Sequence, residues 1–382
     1  MIHLRARAAG IVAAAFQLLL AAPADAQIRI GQTSGFTGPV AVAVAEINAG
    51  AKLYLNSVNE EGGIAGQSIE LVSLDDQNQV PLAAENARKL IADARTVALF
   101  LTRGTPHAQA MLPLLAENQI VLLAPSTGAM VLHKPVNPWV FNVRATYQAE
   151  AERVVRHLGL AGLDKVALCT VDDSFGADAL EGALRVYREA NVEPAVNQPI
   201  DKFKPDYTGC VQKANGVKAL GVLMVGTPVS VAAGVNAFRA SGSQAIIATL
   251  SNNASSGFVK ELGKNAEGVI VSQVFPSERS LATPMIAEAA RLAAAKDIKQ
   301  LTPAMIEGFA AAKVLVAALR RAADANKGAV TRAGLKRALE GFNRVDIGGG
   351  LGGRELSYSA TDHTGLDYVD LSRINADGLF RR

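Results

Sequence analysis

The stretch Ala98–Leu112, ALFLTRGTPHAQAML, is an apolar run that breaks at Arg-Gly-Thr-Pro and resumes with helical spacing. A second stretch, Ala219–Gly234, ALGVLMVGTPVSVAAG, repeats that pattern around the same tripeptide. In both, a buried strand runs into an elbow that opens a helix. Gly allows close backbone approach, Thr can cap the helix through its hydroxyl, and Pro presets the first helical φ. Each elbow is the third strand exit of its own series, so the repeat is one of position as well as of composition.

Outward from the first elbow, IRIGQT from Ile28 reads as a strand, Val42 to Glu60 as a helix ending at Gly62-Gly63, and SIELVSLDD as a strand. Pro81 to Asp93 follows as a helix, Val97 to Leu101 as a strand, Pro106 to Glu117 as a helix and Ile120 to Leu123 as a strand. The order then restarts. KVALCTV, Glu193 to Ile200, Ala219 to Val225 and Gln244 to Thr249 read as strands, with helices over Phe175 to Ala190, Tyr207 to Ala214 and Pro228 to Ala240. Beyond Pro276 the sequence turns mostly helical, with Thr302-Pro303 opening TPAMIEGFAAAKVLVAALRRA, and Leu356 to Phe380 reads as extended and turn-rich. The expected fold is α/β: two similar lobes, each a parallel sheet flanked by helices.

Ligands of open parallel sheets sit beyond the carboxyl ends of the strands. Two facing sheets would bring both elbows to one cleft, where free N–H groups and helix dipoles favour a carboxylate. The same edges carry Ser34 to Pro39, Ala124-Pro125-Ser126-Thr127-Gly128, Asp172 to Gly176 and Ser251-Asn252-Asn253, rich in hydroxyls and amides, with Phe36 and Phe175 as apolar walls. Arg103 can pair bidentately with a ligand carboxylate or serve as an interlobe or solvated ion.

The 382 residues exceed what a single core usually supports, and a formal charge of +3 gives no footprint for nucleic acid. MIHLRARAAG followed by IVAAAFQLLLAA and Ala24-Asp25-Ala26 reads as a secretory signal peptide over residues 1–26, cleaved after Ala26. Cys169 and Cys210 can be one disulfide or two buried thiols, and neither they nor His107, His133, His157 and His363 show metal spacing. Gly348 to Gly353 has dinucleotide-fingerprint spacing without the strand and helix that motif needs, and reads as a turn. No Gly-x-Ser-x-Gly elbow or phosphate-loop Lys occurs, so neither catalysis nor a cofactor is expected.

In wording and order these motifs resemble the type I periplasmic solute-binding proteins, specifically the leucine/isoleucine/valine-binding protein family of ABC transporters. The resemblance covers Ile28 to Phe380 and rests on IRIGQTSGFTGPVA, VNEEGGIAGQSIELVSLDD, GTPHAQAMLPLLAENQIVLLAPSTGAMVL, FNVRATYQAEAERVV, VDDSFGADAL and FAAAKVLVAALRRA. It implies two lobes joined by three crossovers, 27–145 plus 276–353 and 146–275 plus 354–382, with Trp139 just before the first. It also implies a periplasmic monomer that holds a small solute, an amino acid or an aromatic or aliphatic acid, and passes it to an inner-membrane ABC permease. A sensor of the same fold is the alternative.

By residue match, Thr105 falls where the family sets a hydroxyl on the ligand carboxylate, Ser126 and Gly128 on the first-lobe contact loop, and Phe175 on an aromatic wall. Thr127 and Tyr147 are counted with them. Thr227 and Ser251 stand where amino-acid binders carry an aromatic residue and the acid that holds the ligand ammonium. Asp173 is the substitute acid, or a helix-start residue. Without an acid at Ser251, the resemblance favours a carboxylate that lacks an α-amino group.

Overall fold

The computed structural model describes residues 27–349 and 355–382. The signal-peptide expectation and most of the Gly348 to Gly353 turn lie outside the described residues. Strands β1 (Ile28–Ser34), β2 (Ile69–Asp75), β3 (Thr96–Phe100), β4 (Val121–Leu123) and β5 (Val140–Phe141) form one sheet in the order β2-β1-β3-β4-β5, every pair parallel. A second sheet holds β6 (Val166–Val171), β7 (Val196–Ile200), β8 (Gly221–Val225), β9 (Ile246–Thr249) and β10 (Ile270–Gln273). It adds β13 (Asp370–Ile374) and β14 (Phe380–Arg381) in the order β14-β13-β10-β9-β8-β6-β7. The fold is the α/β pair of lobes expected, with one difference. The tail read as extended supplies two antiparallel strands that close the exposed edge of β10. A two-stranded ribbon, β11 (Val345–Asp346) with β12 (Glu355–Leu356), lies apart from both sheets.

Parallel neighbours require crossover helices, and these cover both sheet faces. In the first lobe α1 (Ala41–Glu60) packs one face, and α2 (Val80–Ala92) with α3 (Thr105–Glu117) the other. In the second, α4 (Tyr147–Leu160) and α5 (Ser174–Ala190) cover one face. The other is covered by α6 (Thr208–Gly216), α7 (Pro228–Ala240) and α8 (Ser256–Leu262). Helices α9 (Pro284–Ala294), α10 (Pro303–Asp324) and α11 (Arg332–Glu340) return to the first lobe. Strand order reverses between β1 and β3, and again between β6 and β8. At both reversals the loops leave in opposite directions and open a crevice, which is where α/β sheets bind ligands.

The longest helix, α10, starts at Thr302, whose hydroxyl accepts from the Met305 N–H at 3.2 Å. It meets α1 with no room for side chains at two points. A Cβ on Gly50 would lie 1.9 Å from the Met305 carbonyl oxygen, and one on Gly308 would lie 1.8 Å from that of Ile47. Backbone-to-backbone contact of this kind explains why a run as rich in Ala and Gly as IEGFAAA occupies the core.

The chain changes lobes between β5 and α4, and again after β10, where Val274 and Phe275 enter the first core. The third crossing lies between Leu366 and β13. Residues 355–366, expected with the second lobe, pack on the first: Leu356, Tyr358 and Leu366 join its core, and the Tyr358 hydroxyl donates to the Asn142 carbonyl at 2.6 Å. The aromatic stacking of His363 on Phe141, centroids 4.0 Å apart, holds them there. Sequence patterning gave no sign of this long-range contact. Cys169 on β6 and Cys210 on α6 form a disulfide with Cα atoms 6.4 Å apart.

Two stability outcomes follow. Gly308→Ala should force α10 off α1 and cost about 1–3 kcal/mol, read as a lower urea midpoint at unchanged slope. The double variant Cys169→Ala, Cys210→Ala opens a loop with sequence separation 41 and should lose about 2–4 kcal/mol. An unchanged midpoint in reducing and oxidising buffer would show that the bridge contributes nothing.

Candidate functional site

The two elbows meet across one cleft, but they are not built alike. In the first, Gly104 takes the N-cap position with φ +100°, and its carbonyl accepts from the Ala108 N–H at 3.0 Å. Thr105 is therefore the first helical residue and not the cap expected from the sequence. Its hydroxyl is freed from capping and pairs with that of Thr127 at 2.7 Å. In the second elbow Thr227 is the cap, its hydroxyl accepting from the Ser230 N–H at 3.3 Å. Gly104 is required twice over: its φ suits no other L-residue, and a Cβ there would sit 2.6 Å from His107 Nδ1.

Both lobes line a cavity of about 460 Å³, its open mouth included. The first contributes Arg103, Thr105, His107 and Ser126. The first crossover and second lobe contribute Tyr147, Asp173, Phe175, Thr227 and Asn252. Tyr147 and Phe175 form the apolar wall, ring centroids 4.6 Å apart. Asp173 is the N-cap of α5, accepting from the Phe175 and Gly176 N–H groups, and it also pairs with Lys202 at 3.0 Å. It is thus a helix-start residue with its charge already answered. Burial pushes the His107 imidazole down to about 4, so the ring is neutral at pH 7.

Three residues expected at the ligand stand behind this lining. Thr127 is fully buried beneath Thr105. Gly128 packs on the crossover, where a Cβ would meet the Ala145 carbonyl oxygen at 2.5 Å and its own carbonyl accepts from the Tyr147 N–H at 2.8 Å. Ser251 accepts from Arg144 Nη2 at 2.6 Å and gives its N–H to Glu150 Oε2 at 2.8 Å. The carboxylate nearest Ser251 is Glu150, and it serves Arg144 and not the cleft.

Arg144, Glu150 and Glu307 form a buried ionic cluster beneath the cavity, and sequence reasoning missed it. Arg144 Nη2 pairs with Glu150, which also accepts from the Ser272 hydroxyl at 2.5 Å. Arg144 Nη1 lies 3.7 Å from Glu307, and the guanidinium stacks over the Tyr147 ring at 4.7 Å. Burial disfavours the charged Arg144 side chain, but Tyr147, Glu150 and Glu307 outweigh it and hold the pKa above its ordinary value. Glu307 in turn accepts from the Ser126 hydroxyl at 2.7 Å, which links the cluster to the cleft.

Arg103 has the opposite environment. It is 6% exposed, it lines the cavity, and burial lowers its pKa. Its Nη2 donates to the Asn252 carbonyl across the cleft at 2.7 Å, and its Nη1 faces Ser126 Oγ at 3.5 Å. Among the described residues no carboxylate approaches it within 4.0 Å, and the Tyr147 hydroxyl carries no hydrogen bond to the protein. Glu307 and Tyr147 attract it through space, so the lining presents a cation without a direct ion pair among the described residues, beside hydroxyl groups.

The family model described as "Periplasmic binding protein" matches residues 27–378. The chain is 27% identical over 206 residues to the Leu/Ile/Val-binding protein BraC3 of Rhizobium johnstonii, a match spanning 53% of this chain and only 55% of that relative. A substrate-binding periplasmic protein from Ralstonia solanacearum superposes with a TM-score of 0.83 at 28% identity, covering 93% of this chain and 99% of the other. A branched-chain amino acid ABC transporter protein from Thermus thermophilus, solved with bound valine, has a TM-score of 0.81 at 20% identity over 93% of this chain and 94% of its own, a likeness of fold alone. With its paired sheets, reversed strand orders and interlobe cleft, the chain belongs to the periplasmic binding protein family, as a type I member of the leucine/isoleucine/valine-binding protein kind.

Proposed function

We propose that this protein is the exported substrate-binding component of an ABC importer. It acts as a periplasmic monomer that encloses a small carboxylate-bearing solute and presents it to an inner-membrane permease. The observation that carries this reading is Arg103, a buried guanidinium lining the cleft that forms no ion pair within 4.0 Å among the described residues, Glu307 attracting it only through space. A ligand carboxylate supplies that partner, with Thr105 and Tyr147 as hydroxyl donors nearby. A charge-assisted hydrogen bond contributes about 1.5–3 kcal/mol net, and micromolar affinity needs about 8 kcal/mol. A few such bonds plus the Tyr147–Phe175 wall are a sufficient set.

The same charge arrangement weighs against an amino acid. Asp173 is held by Lys202, and Glu150 and Glu307 stand with Arg144. A ligand ammonium buried here would lack a free carboxylate, at a cost of several kcal/mol. The ligand class is thus an aliphatic or aromatic acid, while the Leu/Ile/Val-binding relative keeps the small-carboxylate chemistry in common. Receptor action without catalysis agrees with the family, whose members bind solutes. Ligand contacts on both lobes favour the closed form that the Arg103–Asn252 and Ser174–Gln109 bonds already bridge, the latter at 2.6 Å, and the permease reads that form.

In a thermal-shift screen of acids, amino acids, amines and sugars, carboxylates should raise the melting temperature. A ligand at 100 times its Kd adds about 2.7 kcal/mol. Shifts confined to amines or sugars would overturn the carboxylate reading. Arg103→Met should weaken the best acid by about 10- to 100-fold while the apo melting curve stays cooperative. Affinity for that acid should also be flat between pH 5 and 8, because Arg103 stays charged and His107, held at about 4, stays neutral. A fall in affinity as pH rises through about 6.5 would instead show a protonated His107 on the ligand.

A further inference from the structure

The cleft specifies one group on the ligand besides its carboxylate. Ser126 donates its only hydroxyl proton to Glu307 Oε1 at 2.7 Å, so its remaining capacity is to accept. Asn252 lines the same cavity from the second lobe, 6% exposed. Its Nδ2 donates to the Gly226 carbonyl at 2.8 Å and to Asn253 Oδ1 at 3.2 Å. A carbonyl can only accept, which fixes the amide orientation. Asn252 Oδ1 is left buried with no partner.

One guanidinium touches both residues: Arg103 Nη1 faces Ser126 Oγ, and Nη2 reaches the Asn252 backbone. The two residues that touch this cation, and line the cavity with it, each keep neutral acceptor capacity: Ser126 at Oγ and Asn252 at Oδ1. Buried polar atoms are rarely left unsatisfied, so this set is complementary to a donor held close to the ligand carboxylate. An ammonium would bring a second charge that neutral acceptors answer poorly, whereas a hydroxyl needs nothing more.

We propose that the cleft selects a hydroxy acid, whose carboxylate pairs with Arg103 and whose hydroxyl, on the adjacent carbon or the next, donates to Asn252 Oδ1 with Ser126 Oγ as second acceptor. This rests on the carboxylate reading above. A site built to hydrogen-bond a hydroxyl discriminates strongly against the analogue lacking it.

The test is isothermal titration of the purified protein with acids of two to six carbons and their phenyl-substituted forms. Each skeleton is supplied as the unsubstituted, 2-hydroxy, 3-hydroxy, 2-oxo and 2-amino acid. On the best-bound skeleton a hydroxy acid should bind at least about tenfold tighter than the unsubstituted and oxo acids. In Asn252→Ala the ratio of hydroxy to unsubstituted affinity should collapse toward one, and Ser126→Ala should lower it by a smaller factor. The second variant serves if the first does not melt cooperatively. Equal binding of hydroxy and unsubstituted acids, or tightest binding of the amino acid, overturns this proposal and leaves the carboxylate reading standing. Failure of every acid overturns both.

Discussion

The pairing of Arg144 with two buried carboxylates is the interaction on which the site's chemistry depends. A guanidinium 2% exposed is tolerable only when its charge is answered, and the answer comes from both lobes at once. Glu150 lies on α4 of the second lobe, Glu307 on α10 of the first, and Arg144 in the crossover between them. Removing Arg144 would leave two buried carboxylates without their cation. The cluster places no carboxylate in the cleft lining, and Arg103 stands one serine away from Glu307, attracted by it through space without forming an ion pair. The proposed preference for an anion follows from where the buried acids lie.

Pseudo-symmetry between the lobes sets the frame, and its breakdown at the elbows sets which hydroxyl is left free of capping. Both sheets reverse their strand order at the same point, so the same tripeptide arrives at the same edge. The helix starts one residue earlier relative to the tripeptide in the first lobe, because Gly104 can hold φ +100° and the residues after it can be helical at once. That one-residue shift takes the Thr105 hydroxyl off capping and turns it toward Thr127 and the cleft. Thr227, which caps, spends its hydroxyl on its own helix.

The elements of the two sheets were legible in the sequence because parallel strands buried on both faces read as continuous apolar runs, and Gly-Thr-Pro marks a helix start on local chemistry alone. The cleft loops were legible for the same reason, since they follow those strands. Less legible was anything fixed by contact between distant parts of the chain. Arg144, three residues past β5, and Glu307 inside a helix carry no local sign of burial, and the fold alone brings them together. Placement of residues 355–366 depended on stacking between His363 and Phe141, which no periodicity records. Ser251 and Gly128 matched family positions, yet here the first is taken by Arg144 and the second by the crossover backbone.

These placements bear on how occupancy and closure are coupled. Arg103 reaches from the first lobe to the backbone of the Ser251–Asn253 turn, and Arg144 reaches the side chain of Ser251 in that same turn. One turn of the second lobe is thus gripped by two guanidinium groups, one lining the cleft and one in the crossover. On the proposed function, an anion paired with Arg103 would fix the orientation of that group, and the bond to Asn252, which joins the two lobes, would depend on their approach. Because a ligand shifts an equilibrium only by its difference in affinity between the two states, the contact that distinguishes closed from open must involve a residue which the ligand itself orders. Arg103 meets that condition, since its two nitrogens join the first-lobe hydroxyl and the second-lobe carbonyl in a single planar group. On the proposed function, the Arg144 cluster in the crossover would serve as the pivot and Arg103 in the cleft as the contact that changes with occupancy.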